Sequence, residues 1–403
     1  MGNFWIVLII AAIVATLPLL LAIPLIWIER KVAARIQDRL GPNRVGPAGL
    51  IQPIADALKI ITKEDITPAG ADKFIYNIAP IISVGSIVLM WAAIPLGPRL
   101  PNARMVGVDL EIGILYVIAV ASFGTLGVLM AGWSSNNKYA LLGAFRVVAQ
   151  LVSYEVPLVL ALMVPVMLAG SMDIQDIIVS QRAMWFFFMA PIAAVIFFIS
   201  AQAETGRGPF DLLEAESELV AGFNIEYSGM KFGLFFVGEF VHVLTNALLL
   251  THLFFGGWWG PGIFLREYTL FGFIPGALIN IALGLVYMTL KTAVIYFLML
   301  LLRNSLPRVR IDQLMNFNWK FLVPVSIVNI VVTSFLLKIA QAGGFGIGPD
   351  EINLYVNANL ANVLPITLLL LAGNLAIAGG LIAIYGRQIR SERVAAEAVA
   401  VGD

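Results

Sequence analysis

Residues 203–226, AETGRGPFDLLEAESELVAGFNIE, hold six carboxylates and one arginine between two long apolar segments. A membrane chain keeps so many acids only where water, partner proteins or protons neutralise them, so proton handling and charge-driven movement are the chemistry this stretch offers. If a helix starts at Pro209, a favoured first-turn residue, then Asp211, Glu214 and Glu218 share a polar face. Glu216 instead projects among Leu212, Leu213, Leu219, Val220 and Phe223, an apolar setting that raises the proton affinity of a carboxylate. The alternative is a solvated acidic face with one snorkelling carboxylate. Gly206, Gly208 and Gly222 give the loop either backbone freedom or close packing.

Three ionisable residues lie deep in apolar segments: Glu155, Glu239 and Lys291. A central charge facing lipid costs roughly 2.5–3.5 kcal/mol, so all three should face the interior of a helix bundle. Each has polar company at helical spacing. Glu239, His242 and Asn246 form one stripe, Asn280, Gly284, Tyr287 and Lys291 a second, and Arg146, Gln150, Ser153, Tyr154 and Glu155 a third. Hydrogen bonding between helices is the plainer use of any one of these residues.

The elements that must position these groups are transmembrane helices. Hydrophobic residues make up 60% of the 403 and charged residues 12%, about half the share of a soluble domain. Nine segments are long and apolar enough to cross a bilayer, near 4–28, 77–97, 111–132, 147–170, 184–202, 232–256, 273–302, 319–341 and 361–385. The expected fold is therefore an all-α integral membrane protein. The first segment runs into Glu29, Arg30 and Lys31 with no small-residue cleavage pattern, which reads as a retained span. Of 25 Lys and Arg, 19 fall in 29–76, 133–146, 203–231, 303–320 or the tail after 386, and five on the other side. The positive-inside rule then sets the N-terminus in the periplasm and the C-terminus in the cytoplasm of a bacterial plasma membrane.

Several function classes are excluded. The chain has no cysteine, so it cannot ligate an iron–sulfur cluster through thiolates. His242 and His252 are ten residues apart on one expected helix, about 280° of rotation, and cannot together hold a haem or metal. No phosphate-binding loop occurs, and the glycines at 343, 344, 346 and 348 fit a flexible loop better than a dinucleotide fingerprint. Electrons must be carried by other molecules. In the first long loop, GPNRVGPAGLIQP at 41–53 fixes an irregular path. The following run then sets Ile54, Leu58 and Ile61 on one face, the pattern of an amphipathic surface helix. A helix packed on the chain's own loops is the alternative.

Together ERK at 29–31, GPNRVGP at 41–47, LIQPIADALK at 50–59, RVVAQLVSYEVPL at 146–158, AETGRGPFDLLEAESELVAGFNIEYSG at 203–229 and LPRVRIDQLM at 306–315 closely resemble the quinone-chamber membrane subunit of respiratory complex I, a family shared by bacteria and mitochondria. The resemblance covers residues 1–342, leaving 343–403 as an extension with a ninth span and a short tail. It implies a membrane subunit of a proton-translocating NADH:quinone oxidoreductase with no redox cofactor of its own. Ubiquinone or menaquinone would be the substrate, FMN and iron–sulfur clusters would sit on partner subunits, and phospholipids would surround the spans. The implied partners are the peripheral quinone-site and iron–sulfur subunits and the small membrane subunits leading to antiporter-like pumps, with no nucleic acid. Carried over, Glu29, Arg30, Asp56, Phe223 and Arg303 would belong to the quinone entrance and chamber. Glu155, Glu204, Asp211, Glu214, Glu216, Glu218, Glu226, Glu239 and Lys291 would belong to the acidic loop and proton relay, supported by Tyr154, Arg308 and Arg310.

Two rivals remain: the equivalent subunit of a hydrogenase- or ferredoxin-linked complex, and a stand-alone ion or solute transporter. Co-purification of flavin and iron–sulfur subunits in mild detergent separates a respiratory complex from a lone transporter. In assembled complex, Glu216→Gln and Glu155→Gln are expected to lower quinone reductase activity without loss of assembly; normal turnover and pumping in both variants would count against the reading.

Overall fold

A chain this apolar can satisfy its backbone inside a bilayer only by coiling on itself, since hydrocarbon offers no other hydrogen-bond partner. The computed structural model describes residues 2–97, 105–211, 222–260, 276–342 and 360–401, and no strand occurs among them. The helices are α1 (Gly2–Ile36), α2 (Gln52–Thr62), α3 (Lys73–Ala93), α4 (Gly113–Ser134), α5 (Lys138–Ala169), α6 (Ile174–Ser180), α7 (Phe186–Met189), α8 (Pro191–Glu204), α9 (Gly229–Phe254), α10 (Gly276–Ser305), α11 (Ile311–Phe317), α12 (Val323–Ala342) and α13 (Leu360–Val401). Eight of the described helical stretches are long and apolar enough to span a membrane, with α11 and α12 counted as one stretch across a π turn at Asn318–Leu322. The molecule is a multi-pass membrane protein.

The fifth expected span is present but broken. Ala190 leaves the helical region at φ −138° and ψ 63°, so α7 ends there and α8 restarts on Pro191. Proline has no N–H to give, and Pro191 takes a first-turn position of the restarted helix, where none is needed. Asn374 of α13 donates to the carbonyl of Met189 at 3.2 Å beside this break. The segment after 360 thus packs against α12 and the α7–α8 joint of its own chain.

Helix starts follow local side-chain chemistry. Asp72 accepts from the N–H groups of Phe74 and Ile75, Asn137 from Tyr139, and Asp173 from Gln175, each satisfying donors that a first turn leaves free. Gly170, at φ 70°, ends α5. Small residues then set the spacing between spans. A Cβ at Gly132 of α4 would stand 2.3 Å from the Cβ of Ala144 on α5.

Most buried apolar residues form one core through the bundle, but a second cluster lies at the end carrying the acidic loop. There Tyr76 and Tyr227 stack with centroids 4.2 Å apart, and each hydroxyl donates to a backbone carbonyl across the stack, Tyr76 to Glu226 and Tyr227 to Tyr76. Burial pushes the Tyr227 phenol up to about 12, so it stays a donor. α2 turns Ile54, Leu58 and Ile61 outward, 46%, 59% and 61% exposed, while Ile60 faces Gly233 of α9. Both expectations for this helix are therefore partly met: one face packs on the chain and an apolar face remains for lipid. At the α4–α5 contact, Gly132→Val should cost about 1–3 kcal/mol through overpacking. A lowered melting temperature of the detergent-solubilised complex would show it, and an unchanged melt would mean the helices are free to separate.

Candidate functional site

Glu29 stands about two turns before the end of α1, and two arginines from distant parts of the chain converge on it. Arg207, in the loop after α8, donates from Nη1 to Glu29 Oε2 at 2.6 Å, and Arg303 of α10 pairs with the other oxygen. Arg207 also donates from Nε to Glu239 Oε1 of α9 at 2.8 Å, with the Phe240 ring 4.5 Å from its guanidinium carbon. The guanidinium is 2% exposed. The result is an alternating row, Arg303, Glu29, Arg207, Glu239, whose charges cancel. It ties α1, α9 and α10 to one loop.

Glu204, the last residue of α8, lies beside this row without an arginine. Its Oε2 accepts from Asn246 Nδ2 at 3.2 Å, and its Oε1 is 3.8 Å from His242 Nε2, too long for a direct hydrogen bond. A cavity of about 110 Å³ opens here, enough for several water molecules. Phe223, Phe232, Phe235, Phe236, Ile87 and Met90 give it apolar lining, while Glu204, Glu239, His242, Asn224 and Thr125 supply polar groups. Thr125 Oγ1 also donates to Glu155 Oε1 at 3.4 Å, which brings the half-buried carboxylate of α5 to the same wall. Such a site can hold a flat, apolar ring with polar oxygens, and can pass protons among carboxylate, imidazole and water.

α5 anchors the loop that carries these groups. The Gln150 amide, 1% exposed, donates to the carbonyls of Ala203 and Phe210 at 2.6 and 2.8 Å, closing the turn that holds Glu204 and Arg207. At the other end, Asn137 Nδ2 donates to Glu226 Oε1 at 2.7 Å, and Gly143 admits the backbone of Gly222 so closely that a Cβ would meet its Cα at 2.9 Å. Gly222 itself sits at φ 75°. Gly208 has a packing role, with the carbonyl of Arg303 3.0 Å from where a Cβ would be.

A second ionic site lies where the first loop meets the membrane. Arg30 pairs with Asp56 of α2, which Gln52 also contacts at 3.2 Å and Lys59 at 3.8 Å. Partial burial pushes the Asp56 carboxyl up, but the hydrogen bond and charge of Arg30 outweigh it and hold the group below its usual range. It stays ionised at neutral pH.

The expected site residues fall into distinct places. Glu29, Arg303, Glu204 and Glu239 meet in one cluster, Phe223 lines its cavity and Glu155 touches its wall. Arg30 and Asp56 form the separate pair, and Glu226 is a loop anchor. Tyr154 is fully buried and donates to the carbonyl of Leu314, holding α11 against α5. Arg308 and Arg310 are exposed. Asp211 closes the described part of the loop, and Glu214, Glu216 and Glu218 lie outside the described residues. Lys291 lies elsewhere, bonded to carbonyls beyond the far end of α9. Sequence reasoning left the hub, Arg207, out of the candidate set, although it is the single basic residue among the six acids of 203–226.

Removing that hub would leave the half-buried Glu239 without a countercharge and Glu29 with Arg303 alone. Arg207→Gln is therefore expected to cost about 3–5 kcal/mol and to lower the amount of assembled complex in membranes; wild-type levels with a wild-type melt would show that the row carries no such weight.

Comparison with known proteins shows the family. Residues 8–334 match the family profile described as NADH dehydrogenase, which ends before α13 begins. The H-type NADH-quinone oxidoreductase chain of Dehalococcoides mccartyi (strain CBDB1) is 45% identical over 341 residues, 84% of this chain and 90% of the relative. A chain of the same name from Geobacter metallireducens is 45% identical over 332 residues, covering 81% and 95%, and one from Geobacillus thermodenitrificans 47% over 309, covering 76% and 87%. With a buried row of ion pairs on its matched spans and that extent of likeness, the chain belongs to the NADH dehydrogenase family, as an H-type membrane component of NADH-quinone oxidoreductase.

Proposed function

We propose that this protein forms the chamber in which a quinone from the bilayer meets the peripheral arm of the complex, and that buried carboxylates relay its reduction toward proton pumping. The observation that carries the reading is the cavity lined by phenylalanines together with Glu204, Glu239 and His242, joined to a charge row that spans four segments. Apolar walls suit a quinone ring, and the acids suit the two protons that its two-electron reduction consumes. The electrons would come from flavin and iron–sulfur groups of partner subunits. Arg30 and Asp56, beside the outward apolar face of α2, would border the entrance from lipid.

Coupling in this reading is electrostatic. The row from Arg303 to Glu239 is charge-balanced, so a change of charge on a quinone beside it shifts the balance and is felt first by Glu204, the buried carboxylate with an amide and an imidazole as neighbours. Protonation of Glu204 would alter its hold on Asn246 and His242, and the turn stapled by Gln150 would carry that change into the acidic loop. The acids of 212–221 and Glu155 would then pass it toward the antiporter-like subunits. The same proposal takes 1–342 as the chamber unit, 343–403 as an addition, and the N-terminus as periplasmic.

Glu204→Gln tests the relay without removing an arginine–carboxylate pair. In assembled complex, NADH:quinone turnover is expected to fall roughly tenfold or more, while reduction of a water-soluble acceptor by the peripheral arm is unaffected. Wild-type quinone turnover with normal proton movement in that variant would defeat the proposal.

A further inference from the structure

Pro157 lies inside α5 and has no N–H to give, so it leaves the carbonyl of Ser153, four residues earlier, without its usual rung of the helix. A bare carbonyl is costly in a membrane and is met from a neighbouring element. Asn318 meets it, donating from Nδ2 to the Ser153 carbonyl at 2.6 Å out of the π turn between α11 and α12. The Asn318 side chain is fully buried, and among the described residues its Oδ1 has no donor, so the amide is held for one bond. One position on, the Tyr154 hydroxyl donates to the carbonyl of Leu314 at 3.1 Å, a carbonyl that the Asn318 N–H also reaches. Two consecutive residues of α5 are thus tied to 314–318, immediately before Glu155 and where the helix has lost a rung.

The other end of the tying segment reaches the acidic loop. Val309 donates its N–H to the carbonyl of Pro209 at 3.0 Å, and the Phe210 ring packs on Tyr154 with centroids 5.7 Å apart. Residues 309–318 therefore form a strut from the start of the acidic loop to the weak point of α5. A helix short of a rung bends there, and its angle decides where the neighbouring side chains are aimed. Glu155 is one of them: its carboxylate accepts from Thr125, which lines the cavity.

We propose that Asn318 is a positioning residue, fixing the angle of α5 at Pro157 so that the Glu155 carboxylate stays at the cavity wall in register with the acidic loop. The inference rests on the reading that Glu155 takes part in the relay, and it names the contact through which the loop sets its place.

The test measures NADH:quinone turnover per assembled complex in membranes. Asn318→Leu keeps the branched shape of the side chain and removes the donor. Its kcat is expected to fall roughly tenfold or more with KM for quinone unchanged, because a misplaced acid–base group slows the proton step and not binding. Two further variants separate positioning from packing. Pro157→Ala combined with Asn318→Leu gives the Ser153 carbonyl an N–H within α5 and leaves the tie absent, so assembly is expected to be normal while turnover stays low. Glu155→Gln combined with Asn318→Leu is expected to be no slower than Glu155→Gln alone, since a group already removed cannot be misplaced. Wild-type kcat in Asn318→Leu, wild-type turnover or failed assembly in the first pair, or losses that multiply in the second would each overturn the proposal. Normal turnover in Glu155→Gln by itself would sink the relay reading and this inference with it, whereas a slow Glu155→Gln beside a normal Asn318→Leu removes the positioning role alone.

Discussion

A guanidinium taken out of water must be met by carboxylates on its open sides, and Arg207 meets that demand with Glu29 on one side and Glu239 on the other. Much of the geometry at this end of the bundle follows from that requirement. Glu29 can reach Arg207 only if α1 passes beside the loop after α8, and Glu239 only if α9 passes close to the same loop. Arg303 then fills the remaining oxygen of Glu29 and fixes the end of α10. A buried row of this kind contributes little net stability over apolar packing, but it allows few alternative arrangements.

The same row sets Glu204 apart from its neighbours. Both carboxylates of the row face a guanidinium, whereas Glu204 has an amide donor at 3.2 Å and an imidazole at 3.8 Å. Its neighbours on the turn are held by Gln150, and the far end of the acidic loop is held by Asn137 and the Tyr76–Tyr227 stack. Past the other end of α9, Lys291 of α10 donates to the carbonyls of Phe255 and Trp259, so the helix that holds Glu239 near one end is pinned by a cation at the other.

Much of this was legible in the sequence because it depends on local pattern. Hydropathy marks the spans, the spacing of Ile54, Leu58 and Ile61 marks α2, and Glu239, His242 and Asn246 announce their shared face. The break at Ala190 was harder to read, since an apolar run containing Pro191 is compatible with a kinked or a divided helix. The hub escaped because its partners are far away in the chain: Arg207 and Glu29 are 178 residues apart, and Arg303 and Glu29 are 274 apart. No periodicity links such positions. The Lys291 stripe was visible as a stripe, but its partners are backbone carbonyls, which leave no mark in side-chain identity.

On the proposed function, reducing a quinone beside this charge row changes the protonation of Glu204. The most direct measurement is the redox-induced infrared difference spectrum of the assembled complex, taken with and without Glu204→Gln. A protonated-carboxyl band that changes when quinone is reduced and is missing from the variant is expected. A carboxyl region identical in the two proteins, with quinone reduction confirmed in both, would contradict it.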